Sequence, residues 1–385
     1  MKIVQVTLRF DAPGGVETTV RELSRRLRSA GDEVQVYASD LVDESGWVRR
    51  SDFRPVVDGV PVRRFPIVKR PLPRVTLPVM AGLVDAISES GADIVHAHSH
   101  RYGHVLQSTF AAEKCRIPLV ISTHFHPADR REPPLKKGLL RLEDVAFGMA
   151  SYRVADALVV ESELEGRLVR EFSPGARIRI IPPGIDVHEW EDPSTDRTEE
   201  LGLPAEYFLF VGRIAPNKGL PILVEALAGL SPADRIPLVL MGPDWGERTA
   251  IEQQARRLGI AELLRWLGSV PDRRAYRGVL RGARALALPS EWEAYGLVLL
   301  DAMAARTPIV ASAVGAVPEV LDGGRAGRLV PYGDVVALRE ALRATTHEPD
   351  VTRRLVEVGI GRARAADWSV AVERHRALYR ELART

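Results

Sequence analysis

Short apolar runs recur along the chain, each ending in a polar or glycine-containing loop and followed by a stretch with apolar residues at helical spacing. Lys2–Thr7 reads as a strand, and its loop ends in Pro13-Gly14-Gly15-Val16-Glu17. Through residues 17–30, Val20, Leu23 and Leu27 recur at helical spacing; Gly31 ends the helix and residues 34–38 resume a strand. Strand, helix, strand implies a parallel sheet. Residues 92–98 and 118–123 read as further strands of that sheet, running into histidine-rich loops: His96, His98, His100 and His104 in the first, His124 and His126 in the second. Residues 155–160 and 178–181 complete the half. Pro182-Pro183-Gly184 then interrupts the pattern, and residues 188–200 have the Asp, Glu and Pro content of a linker.

The second half repeats the alternation. Residues 207–211 form a strand, Gly212-Arg213-Ile214-Ala215-Pro216-Asn217-Lys218-Gly219 a loop, and residues 220–230 a helix. Strands follow at 237–241, 264–267, 285–288 and 309–312, the last running into Gly315-Ala316-Val317-Pro318-Glu319. Between the last two strands lies Pro289-Ser290-Glu291-Trp292-Glu293-Ala294-Tyr295-Gly296-Leu297, which opens a helix over 296–305 carrying Asp301. Beyond Pro331 the chain turns helical and ends in an amphipathic segment over 369–382. The pattern predicts two α/β domains, residues 1–184 and 185–366, with a terminal helix over 367–385.

Several loops have residues suited to chemistry. Gly14 and Gly15 sit where a loop meets a helix, so a phosphate can approach bare backbone there; a plain turn is the ordinary alternative. Arg213 and Lys218 offer two cations to one anion, or are surface charges. Glu293 and Asp301 flank a helix start whose free N–H groups suit a diphosphate while the carboxylates suit sugar or ribose hydroxyls; otherwise they are a helix-start acid and a solvated one. Two His-x-His pairs with Asp129 raise the alternative of a metal site. Against it stands the expectation that strand alternation turns the members of each pair apart, leaving one histidine a hydrogen-bonding role.

Length and composition narrow the class. A chain of 385 residues, 45% hydrophobic and 27% charged, suits a soluble protein of two domains. No apolar run nears the roughly 18 residues of a membrane span, and a strand at the first residues leaves no room for a signal peptide, so a cytoplasmic location is expected. The lone Cys115 excludes an internal disulfide and a cysteine zinc cluster. A net charge of +2 gives no argument for nucleic acid as a partner. Basic residues do cluster, at Arg49, Arg50, Arg54, Arg63, Arg64, Lys69, Arg70 and Arg74, and again at Arg130, Arg131, Lys136, Lys137 and Arg141 beside Leu139, Leu140, Leu142, Val145 and Phe147. Both clusters read as solvated surface, or as a surface for an anionic acceptor or the head groups at the inner face of a membrane.

Four features in order resemble the GT-B glycosyltransferases of the retaining group called glycosyltransferase family 4: the early Gly-Gly-Val-Glu, the strand-end His124, the Val-Gly-Arg and Asn-Lys-Gly loop, and Pro-Ser-x-x-Glu-x-Tyr-Gly-Leu with a second acid eight residues after the first. The resemblance covers nearly the whole chain. It implies two Rossmann-like domains facing a cleft, with the last helix crossing back to the first domain. It implies a sugar moved from a nucleotide-diphosphate donor, UDP or GDP type, to a sugar, lipid-linked or small-molecule acceptor, with no cofactor and no metal. Gly14 and Gly15 would lie under the donor diphosphate, and Arg213 and Lys218 would neutralise it as it leaves. Glu293 would bind sugar hydroxyls, with Gly296 and Leu297 amides near sugar and phosphate, and Asp301 would bind the ribose. His124 would contact the transferred sugar, with His126 the runner-up. Two departures stand out: Asp301 is one methylene shorter than the usual Glu, and Arg306 replaces the usual Gly before the 309–312 strand. A sugar-nucleotide epimerase, a weakly catalytic relative and a histidine-metal hydrolase are the competing readings.

Overall fold

Lys2–Thr7 forms strand β1, buried from Ile3 onward because side chains pack on both faces of a parallel sheet. Val4 and Val6 enter one apolar cluster and Ile3 another, as the period of two requires. The remaining strands of this sheet are β2 (Glu33–Ser39), β3 (Val56–Val57), β4 (Val60–Phe65), β5 (Ile94–His98), β6 (Leu119–Ser122), β7 (Ala157–Val160) and β8 (Ile178–Ile180). Their order is β8-β7-β6-β5-β1-β2-β4-β3, parallel except for β3 against β4. The computed structural model describes residues 1–12, 14–43, 48–50, 52, 54–68, 78–100, 102–126, 138, 148–196 and 198–384.

A second sheet holds β9 (Phe208–Val211), β10 (Leu238–Met241), β11 (Leu264–Gly268), β12 (Ala285–Leu288), β13 (Ile309–Ser312) and β14 (Arg328–Val330). The order β11-β10-β9-β12-β13-β14 is that of a doubly wound dinucleotide fold, all parallel. Leu209 faces one cluster and Phe208 and Phe210 the other, so both faces are covered. In each sheet the winding reverses beside the first strand, between β1 and β5 and between β9 and β12. Loops at the carboxyl ends of such strands are where ligands of open α/β sheets collect.

The chain divides into two units, Met1–Pro183 with Trp368–Thr385, and Gly184–Asp367. The helices used below are α1 (Gly15–Ser29), α2 (Glu163–Phe172), α3 (Leu220–Ala228), α4 (Arg273–Gly282), α5 (Leu297–Ala304) and α6 (Trp368–Leu382). The terminal helix α6 returns to the first unit: Trp368, Val372, Leu378 and Tyr379 bury against Leu23 and Leu27 of α1, and Arg376 pairs with Asp32 at 2.9 Å.

The first basic cluster is more structured than a solvated face. The Arg64 side chain is only 3% exposed, and it pairs with Asp11 at 2.8 Å, a carboxylate it shares with Arg50. Burial and then the neighbouring Arg50 bring the Arg64 pKa down to about 10. Arg63 lies 5.3 Å from the ring of Phe65. Lys69, Arg70 and Arg74 of that cluster lie outside the described residues, as do Asp129 and the second cluster of Arg130, Arg131, Lys136, Lys137 and Arg141 with its apolar neighbours. Among the described residues no helix is long and apolar enough to cross a membrane.

Candidate functional site

In the second unit, three loops at the carboxyl end of the sheet meet on Glu293. Strand β9 leads into the loop whose short 3-10 turn, Pro216–Lys218, ends at Gly219 with φ of 67°. A Cβ there would fall 1.9 Å from the Pro289 carbonyl oxygen of the loop after β12, so only glycine lets the two loops touch. Glu291 N–H donates to the Asn217 carbonyl at 2.9 Å, closing the same contact. From the loop after β13, Ala316 N–H donates to the Glu293 carbonyl at 3.1 Å, and a Cβ on Gly315 would fall 1.9 Å from that carbonyl.

The side chains follow from this backbone. Lys218 Nζ donates to Glu293 Oε1 at 2.6 Å, and Ser290 Oγ donates to the same oxygen at 2.6 Å. Lys218 and Glu293 are each 13% exposed, so the ion pair is shielded without being sealed from a ligand. Arg213, in the same loop as Lys218, lays its guanidinium 4.3 Å from the ring centroid of Trp245, whose loop is bridged to it through Ile214 and Asp244. Gly296, with φ of 88°, turns the chain into α5, and Leu297 is that helix's first residue.

Asp301 has different partners from Glu293. Its carboxylate accepts from Tyr276 Oη at 2.8 Å and Arg273 Nη2 at 3.3 Å, both on α4. Arg273 also pairs with Glu189 at 3.1 Å and stacks over Trp190 and Tyr276. Burial, and then the Asp301 charge, push the Tyr276 phenol well above its ordinary value, so it stays a hydrogen-bond donor. Ser290, Trp245, Tyr276 and Arg273 were missed in the sequence. The last two lie 25 and 28 residues upstream of Asp301, on a helix whose packing no local pattern reveals.

In the first unit, Gly14 precedes α1 and Gly15 is its exposed first residue, with Glu17 turned inward to pair with Arg9 at 2.6 Å. His124, just past β6, has φ of 41°, a left-handed conformation unusual for a side chain with Cβ. Glu165 holds it there, accepting from Thr123 Oγ1 at 2.5 Å, Phe125 N–H at 2.7 Å and Glu161 N–H at 2.6 Å. Burial and then Glu161 raise the Glu165 carboxyl above its usual range, outweighing those donors. Ser162 caps α2 by accepting from Glu165 N–H at 3.1 Å, and the spelling Ser162-x-x-Glu165 is a capping-box signal that was available in the sequence. His126 is exposed, unlike His124.

The expectation that strand alternation separates the members of each histidine pair is corrected by the structure for the first pair. His96 and His98 are two residues apart, so a period of two puts them on one face, and their ring centroids are 4.2 Å apart. Both are fully buried, and burial lowers both pKa values well below the ordinary 6.5. Their nitrogens are engaged by protein groups. His96 bonds Tyr379 Oη at 2.6 Å and Ser122 Oγ at 2.8 Å, while His98 bonds Gln5 Oε1 at 2.6 Å and His124 Nε2 at 3.3 Å. His104 bonds the His98 carbonyl at 2.7 Å and His100 bonds Tyr152 Oη at 2.6 Å. Among the described residues no three His, Cys, Asp or Glu side chains are grouped to hold a metal ion.

Comparison with known proteins matches each half of the chain to a family. Residues 13–189 match the model described as Glycosyltransferase Family 4, and residues 194–362 that described as Glycosyl transferases group 1. The chain is 31% identical to D-inositol 3-phosphate glycosyltransferase 1 of Catenulispora acidiphila, over 95% of this chain and 90% of that protein. It is 30% identical to the phosphatidyl-myo-inositol mannosyltransferase of Mycobacterium leprae, over 97% of this chain and 95% of that one. Among solved structures, the sucrose-phosphate synthase of Thermosynechococcus elongatus superposes with a TM-score of 0.76 at 23% identity, over 99% of this chain and 98% of that one. Anabaena HepE, solved with UDP and glucose, gives 0.78 at 19% identity, over 99% and 100%. At those identities the two structures speak for the fold.

Proposed function

Because the chain belongs to the group 1, family 4 glycosyltransferases and has their GT-B fold, we propose that it moves a sugar from a nucleoside diphosphate donor, uridine or guanosine type, to an acceptor hydroxyl, retaining the anomeric configuration and using no metal. The observation that carries this reading is the Lys218–Glu293 pair at the winding reversal of the second sheet. The pair keeps two charges matched until a ligand arrives. A diphosphate then takes the ammonium, which has three donors, while sugar hydroxyls donate to the carboxylate. Arg213 in the same loop supplies the second cation, and the first N–H groups of α5, around Gly296 and Leu297, supply neutral donors.

Chemistry in this scheme rests on the leaving group. The acceptor oxygen bonds to the anomeric carbon on the face from which the diphosphate departs, the carbon–oxygen bond to phosphate breaks, and the departing phosphate oxygen takes the acceptor's proton. Charge grows on the diphosphate, so Arg213 and Lys218 carry the largest electrostatic share. Asp301 takes the ribose: a carboxylate has about four lone-pair sites, and Tyr276 and Arg273 occupy two. Gly14 and Gly15 are assigned to the diphosphate and His124 to the transferred sugar.

For the acceptor, the names of both relatives contain inositol carrying a phosphate or phosphatidyl group. Among the described residues of the first basic cluster, Arg49, Arg50, Arg54 and Arg64 pair with only three carboxylates, Asp11, Asp40 and Asp52, an excess of cation that suits an anionic acceptor. A thermal-shift screen of the metal-free protein against UDP, GDP, ADP and their sugar conjugates tests the donor. Stabilisation by one nucleoside diphosphate, lost in Arg213→Ala, is expected; a response to zinc or manganese alone would overturn the reading.

A further inference from the structure

A chain of hydrogen bonds runs through the core of the first unit, and its polarity can be followed atom by atom. Gln5 sits near the middle, with Nε2 donating to Tyr379 Oη at 3.5 Å and Oε1 lying 2.6 Å from His98 Nε2. A carbonyl oxygen only accepts, so the proton on His98 is on Nε2. His98 is fully buried and burial favours its neutral form, so its Nδ1 carries a lone pair. That lone pair lies 3.3 Å from His124 Nε2, which must therefore be the donor. On the other side of the same ring, His124 Nδ1 lies 3.0 Å from Glu161 Oε1, an acceptor when ionised.

From these contacts we infer that His98 and Glu161 are positioning residues that hold His124 with a proton on both ring nitrogens in the ligand-free protein, so that the group presented to the sugar is an imidazolium. Its use toward sugar rests on the proposed role of His124. The charges facing His124 from the described elements agree with a cation. Burial disfavours it, but Glu161 at the end of β7, Glu165 on α2 and Glu17 on α1 outweigh burial and raise the pKa above 6.5. His98 and His96 on β5 and His375 on α6 also face it, and burial keeps all three neutral around pH 7. The 3.3 Å bond to His98 is longer than the usual range for an N–H donor, so it is the one a sugar hydroxyl oxygen displaces. Glu161 meanwhile keeps Nδ1 and the ring plane, and the backbone clamp of Glu165 keeps the loop.

The test is a pH titration of ring-15N-histidine-labelled full-length protein without ligand, with the His124 signals identified by their absence in His124→Asn. Two protonated ring nitrogens on His124 at pH 7 are expected, with a midpoint above 6.5. In Glu161→Gln the midpoint is expected to fall by at least about one pH unit. Gln5→Glu keeps an acceptor against His98 Nε2 and is expected to preserve the doubly protonated ring. A single ring N–H on wild-type His124 at pH 7 would mean that the Gln5 amide faces the other way, and would overturn the inference. So would an unmoved midpoint in Glu161→Gln; should that variant not fold, the wild-type titration decides alone. Nucleoside diphosphate release from the donor separates this inference from the assigned role. Full activity in His124→Ala with a wild-type imidazolium would remove the sugar contact and leave the protonation state standing. Lost activity with a neutral wild-type ring would do the reverse.

Discussion

Arg306 shows what a single departure from a family pattern costs. Leu297–Ala304 ends in a Schellman motif, with Thr307 N–H donating to the Ala302 carbonyl at 2.9 Å and Arg306 N–H to the Met303 carbonyl at 3.2 Å. That motif needs a left-handed residue at Arg306, whose φ is 61°. The side chain is exposed, so it gains little that offsets its conformation. Arg306→Gly is therefore expected to stabilise the protein by about 0.5–1 kcal/mol, part of the left-handed penalty being offset by glycine's freer unfolded chain. Urea unfolding at equal m-value checks it. The sequence marked Arg306 as unusual and gave no reason, because a positive φ is a property of the helix end and not of the residue. Lys218 is the converse, a residue whose type was legible and whose partner was not. Lys218→Ala is expected to lower transfer by about two orders of magnitude, the loss of one donor aimed at developing charge. Initial rates at saturating donor measure it, and near-normal turnover would sink the diphosphate assignment.

Elements decide which of these residues meet. Strands β9 and β12 are neighbours, although about 75 residues separate Lys218 from Glu293, because the doubly wound order reverses between them. The strands themselves were legible: buried parallel strands such as Leu238–Met241 and Ala285–Leu288 are unbroken apolar runs with turn residues at their ends. Which loops touch was not, because it depends on strand order, and the α4 partners of Asp301 were hidden for the same reason. The contact of Gly219 with the Pro289 carbonyl is the hinge of the arrangement. Gly219→Ala would place a methyl group against backbone at 1.9 Å in a left-handed conformation, so the loop must move and carry Lys218 away from Glu293. The expected result is a nucleotide-induced thermal shift reduced by more than half, with lower stability. Unchanged binding would mean that the two loops are not one site. In the first unit, Glu165 plays the equivalent part for His124 from the start of α2, a role that the capping-box spelling hinted at only locally.

At the scale of the molecule, the histidines set how the fold answers to pH. His96 and His98 are held well below 6.5 by burial, and His104 and His375 are brought to about 4 by the same cause, each against one raising backbone bond. A lowered folded-state pKa means that the unfolded chain binds more protons, so the stability these four contribute is complete above about pH 6.5 and is lost as pH falls below it. Each steepens the loss by about 1.4 kcal/mol per pH unit until its own folded pKa is reached. His124 and Glu165 run the other way, since both bind protons more readily when folded. Among the buried groups, four against two leaves a net loss on the acid side. The histidine-rich strand ends were legible as a place for chemistry, but their share in the core was not, because burial depends on α6 returning from the far end of the chain. Tyr379 on that helix bonds His96, and His375 lies 5.8 Å from the same ring. The urea midpoint is therefore expected to fall steeply between pH 7 and pH 5. His375→Gln, which removes one titrating ring, is expected to flatten that fall by about one proton's worth. A midpoint independent of pH across that interval would show that these rings titrate freely in the folded state, and that α6 does not bury them.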